Sequence, residues 1–491
     1  MAPLKLNLAN LPAIAGAVAK PSYRRAELSP GIVHIGVGNF HRAHQAHYLH
    51  KLFDKGIDRD WAIIGTGIKP GDTSMRERLL AQDCLSTIVE LDPAGLKASI
   101  NAAMVDFAPC AAASVIETLS RPEIRIASLT VTEGGYFLDA KSGGFRIDDP
   151  EIVGDLANPG HPSTVFGILV ESLSRRRAAG LGPFSIMSCD NLPGNGHATA
   201  QAVIGLATAR SAELGKWIKD TVTFPNGMVD CITPATTDRE RAIVAEKFGI
   251  EDAAPVVCEP FRQWVLEDYF CAGRPRLETV GVEFVSDVAP FELMKLRVLN
   301  GGHAALSYAS ALLGLHFVHE AMANPLVRSW LEKLESSEII PSVPPAPDID
   351  LSRYFECVAQ RFANPAVGDT IPRLCLDGSN RQPKFILPIV RDRLAKGLPV
   401  DGLALEVAFW ARYCAGHDEN GKPIAISDER AAQLNEKALR AKSEPLEFLR
   451  QPEIFGDLSR PGPFANRYSV WFTRLWHDGV HHTLKHYLAS K

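Results

Sequence analysis

No run of eighteen apolar residues occurs in the 491-residue chain, so no membrane-spanning helix is expected. No block of lysine or arginine stands out. Lys plus Arg (52) falls just short of Asp plus Glu (57), and the net charge of −5 argues against a nucleic-acid surface. No C-x-x-C pair exists either. The nine cysteines, at 84, 110, 189, 231, 258, 271, 357, 375 and 414, are odd in number and scattered. That pattern fits buried thiols in a reducing compartment better than a disulfide framework or a zinc ribbon. The opening residues, Met1 to Asn7, lack a basic region and a sustained apolar stretch, so no cleaved leader is expected and the expected location is the cytoplasm. Internal repeats and low-complexity tracts are also missing.

What is present is an alternation. Apolar runs at 31–36, 61–65, 124–132 and 183–189 read as buried strands, and 41–54, 164–179 and 198–214 read as helices. Strands alternating with helices indicate βαβ units around a mainly parallel sheet. From about Asp287 the pattern turns helical: 288–313, 324–336, 352–363, 382–396, 401–415, 430–441 and 466–488. The prolines of 340–347 make a stiff connector inside this half. The expected architecture is α/β, with a nucleotide domain over 1–286, a helical substrate-binding and catalytic domain over 287–491, and an active site between them.

Gly36-Val37-Gly38-Asn39-Phe40-His41-Arg42 follows the first strand and opens the first helix. Gly36 suits a tight turn, and Gly38 lets the backbone approach a pyrophosphate; His41 holds the place of the usual third glycine. Arg42 sits where a helix would begin beside phosphates. After the second strand the first carboxylate is Asp72, expected to accept from an adenosine ribose, while Lys69 leaves a 2′-phosphate possible. NAD is the expected cofactor. His41, His44, His47 and His50 recur every three residues, which advances about 300° per step on an α-helix. Such a row cannot converge on one ion, and no metal is expected.

The segment Phe291 to His303 (FELMKLRVLNGGH) concentrates an amine, an amide and an imidazole on one helix. At about 100° per residue, with Glu292 as zero, Lys295 falls near −60°, Asn300 near +80° and His303 near +20°. The four share an arc of roughly 140°. Gly301-Gly302 costs about 1 kcal/mol per residue against alanine, so something must come close to that backbone. A lysine held among apolar neighbours can serve as a base.

Three further segments read as polar loops: Ser188 to Gly196 (SCDNLPGNG), Pro225 to Asp230 (PNGMVD) and Arg373 to Phe385 (RLCLDGSNRQPKF). Taken with G-x-G-x-F-H-R-A-H, T-E-G-G-Y and K-x-x-x-x-N-G-x-H, in this order over nearly the whole chain, they resemble the polyol-specific long-chain dehydrogenases. The resemblance implies a Rossmann-type N-terminal domain, a helical C-terminal domain, metal-independent hydride transfer with NAD, and a monomer. It makes Lys295 the general base, with Asn191 and Asn300 the amides on the reacting oxygen. His303 orients substrate, and Glu292 links the lysine to solvent. Asp230, Arg373 and Arg381 meet the other hydroxyls. Phe40, Glu133, Gly134 and Val229 join Gly36, Gly38, Arg42 and Asp72 around the cofactor. Arg381 stands where the family commonly has lysine, and a guanidinium is not equivalent to an ammonium. D-mannitol and D-fructose are the expected pair. D-arabinitol, D-sorbitol and D-fructuronate remain open, as does a non-catalytic NAD(H) sensor.

Overall fold

Pro30–Ile35 (β1) is buried along almost its whole length because strands pair with it on both sides. In the computed structural model, which describes residues 2–139 and 143–490, the chain forms two units, Met1–Ala289 and Pro290–Lys491. The first is built on β1 with Ala62–Thr66 (β2), Met104–Phe107 (β3), Ile126–Leu129 (β4) and Ser185–Ser188 (β5). Their order is β3-β2-β1-β4-β5, and every pairing is parallel. Buried on both faces, such strands read as continuous apolar runs and not as alternation, which is why Ile32 to Ile35 and Ala62 to Ile64 were visible in the sequence. Helices Ala112–Leu119, Val165–Ala178 and Asn195–Arg210 bring Val115, Ile116, Phe166, Leu169 and Val203 onto Val33, Ile35, Leu129 and Ile186.

The chain leaves β1 toward β2 and β3 on one side, then crosses to β4 and β5 on the other. A ligand crevice forms at such a reversal, beyond the carboxyl ends of the strands. Gly36 to Gly38 and Thr130 to Thr132 emerge there. Two small sheets adjoin. Gly227–Asp230 pairs antiparallel with Gln263–Glu267, which pairs parallel with Glu283–Val285. Ser86–Glu90 pairs with Lys97–Asn101 and Val256–Cys258.

The expected helix over 41–54 is two helices, Asn39–Ala43 and Gln45–Asp54, broken at His44, whose φ of −115° and ψ of −88° leave the helical region. The His44 Nε2 donates 2.9 Å to the Gln263 carbonyl.

The second unit is helical throughout its long elements. Asp401–Tyr413 lies at its centre, with Leu403, Leu405, Val407, Phe409 and Trp410 all buried. A helix apolar all round must be covered all round, and Pro463–Ala489 and Gly301–Leu312 pack against it. The run expected as one helix over 288–313 is three: Ala289–Met294, a π-helical stretch Lys295–Asn300, and Gly301–Leu312.

Candidate active site

Gly36 has φ +99°, and a Cβ there would lie 2.2 Å from the Thr130 carbonyl oxygen, so only glycine lets the β1 and β4 loops meet. A Cβ on Gly38 would meet only the Gly36 oxygen, at 3.9 Å, and one on Gly134 would meet nothing within 4 Å. The chain is therefore bare at both loops, as backbone that approaches a pyrophosphate must be. These residues fit a dinucleotide. Phe40 is half-buried, stacks on His44 at 4.8 Å and packs beside Ala43 and Ile88. The side chain of Glu133 lies outside the described residues.

Two expected cofactor contacts have other work. Arg42 is buried, and each of its three nitrogens donates to protein oxygen: Nε to Gly38 O at 3.2 Å, Nη2 to Asn39 Oδ1 at 2.7 Å, and Nη1 to Ala254 O. Burial lowers its pKa to about 10. Arg42 braces the glycine turn from within and does not reach toward phosphate. Asp72 is the third residue of helix Pro70–Leu80, and its Oδ2 accepts from Lys69 N (2.8 Å) and Ile68 N (2.9 Å). A carboxylate so used caps a helix, with Oδ2 engaged.

The residue that organises the strand ends escaped the sequence reading. Asp190 accepts from Val131 N (3.0 Å), Thr132 N (2.8 Å) and the Tyr136 hydroxyl (2.7 Å). It thereby holds Thr132 at φ +67° and ψ 160°, a conformation costly for any residue but glycine. Its carbonyl accepts from Asn195 Nδ2 at 3.1 Å, and the same amide exchanges bonds with Gly227. One network therefore fixes exposed Asn191 and the strand carrying Val229 and buried Asp230. The D-N-L-P turn after an apolar strand was the available signal.

In the helical unit, Lys295 is buried and opens the π-stretch, while Glu292 and Asn300 are half-buried. Asn300 lies five positions after Lys295, about 140° around an α-helix. The i→i+5 closure of a π-turn makes residues five apart neighbours, so amine and amide come onto one face. This corrects the wider arc inferred from α-helical spacing. His303 is buried and stacked on Phe362 at 4.1 Å, and its Nε2 has no partner among the described residues. Burial, then the cations of Arg373, Arg381 and Arg361, hold its pKa far below the ordinary value, so it is neutral.

What approaches the Gly301-Gly302 backbone is also settled. A Cβ on Gly302 would lie 2.9 Å from Glu335 Oε1, whereas Gly301 has nothing closer than 3.9 Å. Glu335 is fully buried, neither carboxyl oxygen has a partner among the described residues, and burial raises its pKa far above the carboxylate range. Arg373 is bonded through Nε and Nη2 to Asp369 at 2.6 and 2.5 Å. Arg381 donates 2.8 Å to the Leu374 carbonyl and lies 5.5 Å over Phe385.

The four histidines of the N-terminal row go to separate surroundings: His41 to Gln45, His44 to Gln263, His50 to Tyr23, and His47 edge-on to the Tyr48 ring at 6.2 Å. Among the described residues no three His, Cys, Asp or Glu side chains are placed to hold a metal ion, and no helix is long and apolar enough to cross a membrane.

Residues 30–279 match the Rossmann domain of mannitol dehydrogenase, and residues 287–475 match its C-terminal domain. The chain belongs to the mannitol dehydrogenase family. It is 53% identical to a mannitol 2-dehydrogenase of Cereibacter sphaeroides over 475 residues, covering 96% of this chain and 99% of that one. The ternary complex of Pseudomonas fluorescens mannitol 2-dehydrogenase with NAD and D-mannitol superposes with TM-score 0.85 at 43% identity, covering 99% and 100% of the two chains. A substrate-free D-sorbitol dehydrogenase gives 0.92 at 34% identity, covering 98% and 100%. As in the family models, the Rossmann-type α/β domain precedes a mainly helical one.

Proposed function

We propose that this member of the mannitol dehydrogenase family is an NAD-dependent mannitol 2-dehydrogenase that interconverts D-mannitol and D-fructose, a monomer acting in the cytoplasm without a metal. The observation that carries the chemistry is the π-turn, which sets a buried amine and an amide on one face. The relatives' substrates supply the choice of polyol.

NAD, when bound, supplies the acceptor for the hydride that leaves the polyol carbon. In oxidation the Lys295 amine takes the hydroxyl proton and passes it toward solvent by way of Glu292; in reduction the ammonium returns it. The Asn191 and Asn300 amides donate to the oxygen as negative charge grows on it, usually the largest catalytic term. Neutral His303 orients the substrate without adding charge. Asp230 accepts from the remaining hydroxyls, and Arg373 and Arg381 donate to them. Residues 1–286, through Gly36, Gly38, Phe40, Glu133, Gly134 and Val229, hold the dinucleotide and add Asn191 to the reaction; residues 287–491 are the substrate-binding and catalytic domain that carries the base. The ammonium and the two amides provide the positive field that a metal would otherwise give.

A panel of D-mannitol, D-sorbitol, D-arabinitol and D-fructuronate, run with NAD and NADP after exhaustive chelation, tests this reading. D-mannitol with NAD should give the highest kcat/KM, oxidation should rise with pH and reduction should fall. Preference for D-fructuronate would make Arg381 a carboxylate clamp and sink the assignment. Loss of activity on chelation, restored by zinc, would sink metal independence.

A further inference from the structure

Cys231 directly follows Asp230, and Cys258 ends the strand Val256–Cys258. The two segments are tied together: Glu259 N donates 3.0 Å to the Ile232 carbonyl, and Ile232 N donates 2.6 Å to Glu259 Oε1. Both side chains lie in one buried cluster with Ala43, Ile88 and Val256, and each thiol shifts the other's acidity more than any other neighbour does. A guanidinium completes the group. Arg262 donates 3.1 Å from Nη2 to Cys258 Sγ, while Glu90 (2.6 Å) and the Ala43 carbonyl (2.8 Å) fix its other nitrogens.

We infer that Cys231 and Cys258 are an oxidant-responsive thiol pair, a modification site at the end of the strand that carries Asp230. Arg262 and the second thiol serve the two roles that a reactive pair needs, a cation beside the attacking sulfur and a protonated partner. The acidities agree. The Cys231 thiol, then Arg262, holds Cys258 below the usual thiol range against the effect of burial, while Cys231 is pushed up by the same pairing. Buried Cys189, Cys375 and Cys414 are pushed up, chiefly by burial, and remain ordinary core thiols.

The chemistry closes with hydrogen peroxide as oxidant. The Cys258 thiolate attacks one peroxide oxygen and expels hydroxide, leaving a sulfenic acid. Cys231 then attacks that sulfur, its proton leaves with the sulfenic oxygen as water, and a disulfide remains. Two electrons pass from the sulfurs to the peroxide. With Cys231 8% exposed and Cys258 fully buried, a small uncharged oxidant is selected over a bulky one such as oxidised glutathione. The cross-link would pin the residue next to Asp230 to a second sheet. Its effect on polyol binding rests on the role proposed for Asp230; the cross-link itself does not.

The test treats the full-length enzyme with hydrogen peroxide and maps peptides without reduction. A Cys231–Cys258 peptide should form before exposed Cys271 is oxidised, and dithiothreitol should reverse it. Oxidised glutathione should not produce it. Cys231→Ser should leave a dimedone-reactive sulfenic acid on Cys258. Oxidation of Cys271 with Cys258 untouched would overturn the proposal, and the wild-type map needs no variant to show it. KM for D-mannitol should rise about tenfold with less change in kcat, as when a binding contact is lost. A cross-link with unchanged KM would sustain the site and remove Asp230 from the polyol contacts.

Discussion

The α/β unit and the helical unit keep different groups neutral by burial. In the first they are imidazoles: His34, with a pKa lowered to about 3, and His41 and His47, all pushed down chiefly by burial. In the second they are mainly carboxyls: Glu406, pushed up to about 8, and Glu335, pushed far above the carboxylate range, both by burial. The reason lies in the partners that each architecture offers. Strand ends present carbonyls and hydroxyls, and a neutral imidazole can donate to one and accept from another. His34 does so, 2.8 Å from Ser128 Oγ and 2.9 Å from Thr130 Oγ1. Helices consume their own backbone groups, so a carboxyl between them finds few donors and keeps its proton. His303 is the exception, an imidazole in the carboxyl-rich unit, and it belongs to the candidate site.

The sharpest way to separate the two units is Lys295→Ala. Turnover should fall by about a thousandfold or more, in the upper range for loss of a general base, while NADH titrated by fluorescence binds almost as before. A parallel loss of NADH affinity would mean that the helical unit also holds the cofactor. The corresponding blow to the α/β unit is Asp190→Ala, which strands three donors and releases the strained Thr132. A cost of about 3–5 kcal/mol is expected for breaking such a buried, charge-assisted network, read by urea unfolding. A cost below about 1 kcal/mol would show that the strand ends do not depend on it.

The opposed neutral groups predict opposed pH dependences. An imidazole with a depressed native pKa contributes stability that is full above about pH 6.5 and lost as pH falls, because only the unfolded chain takes the proton. A carboxyl with a raised native pKa contributes stability that is full below about pH 4.5 and lost as pH rises through its native value. For Glu406 that loss is complete just above its native pKa of about 8. His47→Leu should therefore flatten the acid side of a stability profile, and Glu406→Gln the side between pH 5 and 8, each removing a slope of at most about 1.4 kcal/mol per pH unit. If either substitution flattens the opposite side, the comparison between the units fails.

Two smaller effects sharpen it locally. Gly302→Ala should cost about 1–2 kcal/mol by pressing a methyl on the Glu335 carboxyl, and most of that should return in the double variant with Glu335→Ala. Asp72→Ala should cost about 0.5–1 kcal/mol as a lost helix cap with little change in KM for NAD. A large rise in that KM would restore the ribose contact.

How much could be read beforehand follows from the same physics. The strands at β1 and β2 announced themselves because parallel strands are apolar on both faces, whereas β3 is four residues long, carries Asp106 and gave no such run. The helical half was legible from its period, but a π-turn leaves no mark on apolar spacing, so the wider winding between Lys295 and Asn300 was hidden. The capping role of Asp72 went unread although its signal was present: Pro70 at the first turn and an acid two residues later mark a helix start. Arg42 was placed correctly at the turn, but its inward direction depends on Ala254, over two hundred residues away in the chain.

The π-turn at Lys295–Asn300 also constrains the history of this chain. Relative to a regular helix it is equivalent to one inserted residue, and an insertion of this kind is hard to undo. Deleting a single residue there would restore regular winding and leave everything beyond it, His303 included, in phase, but it would remove the wide turn that lets residues five apart share a face. Descendants can exchange side chains around the turn freely; its length they must inherit unchanged.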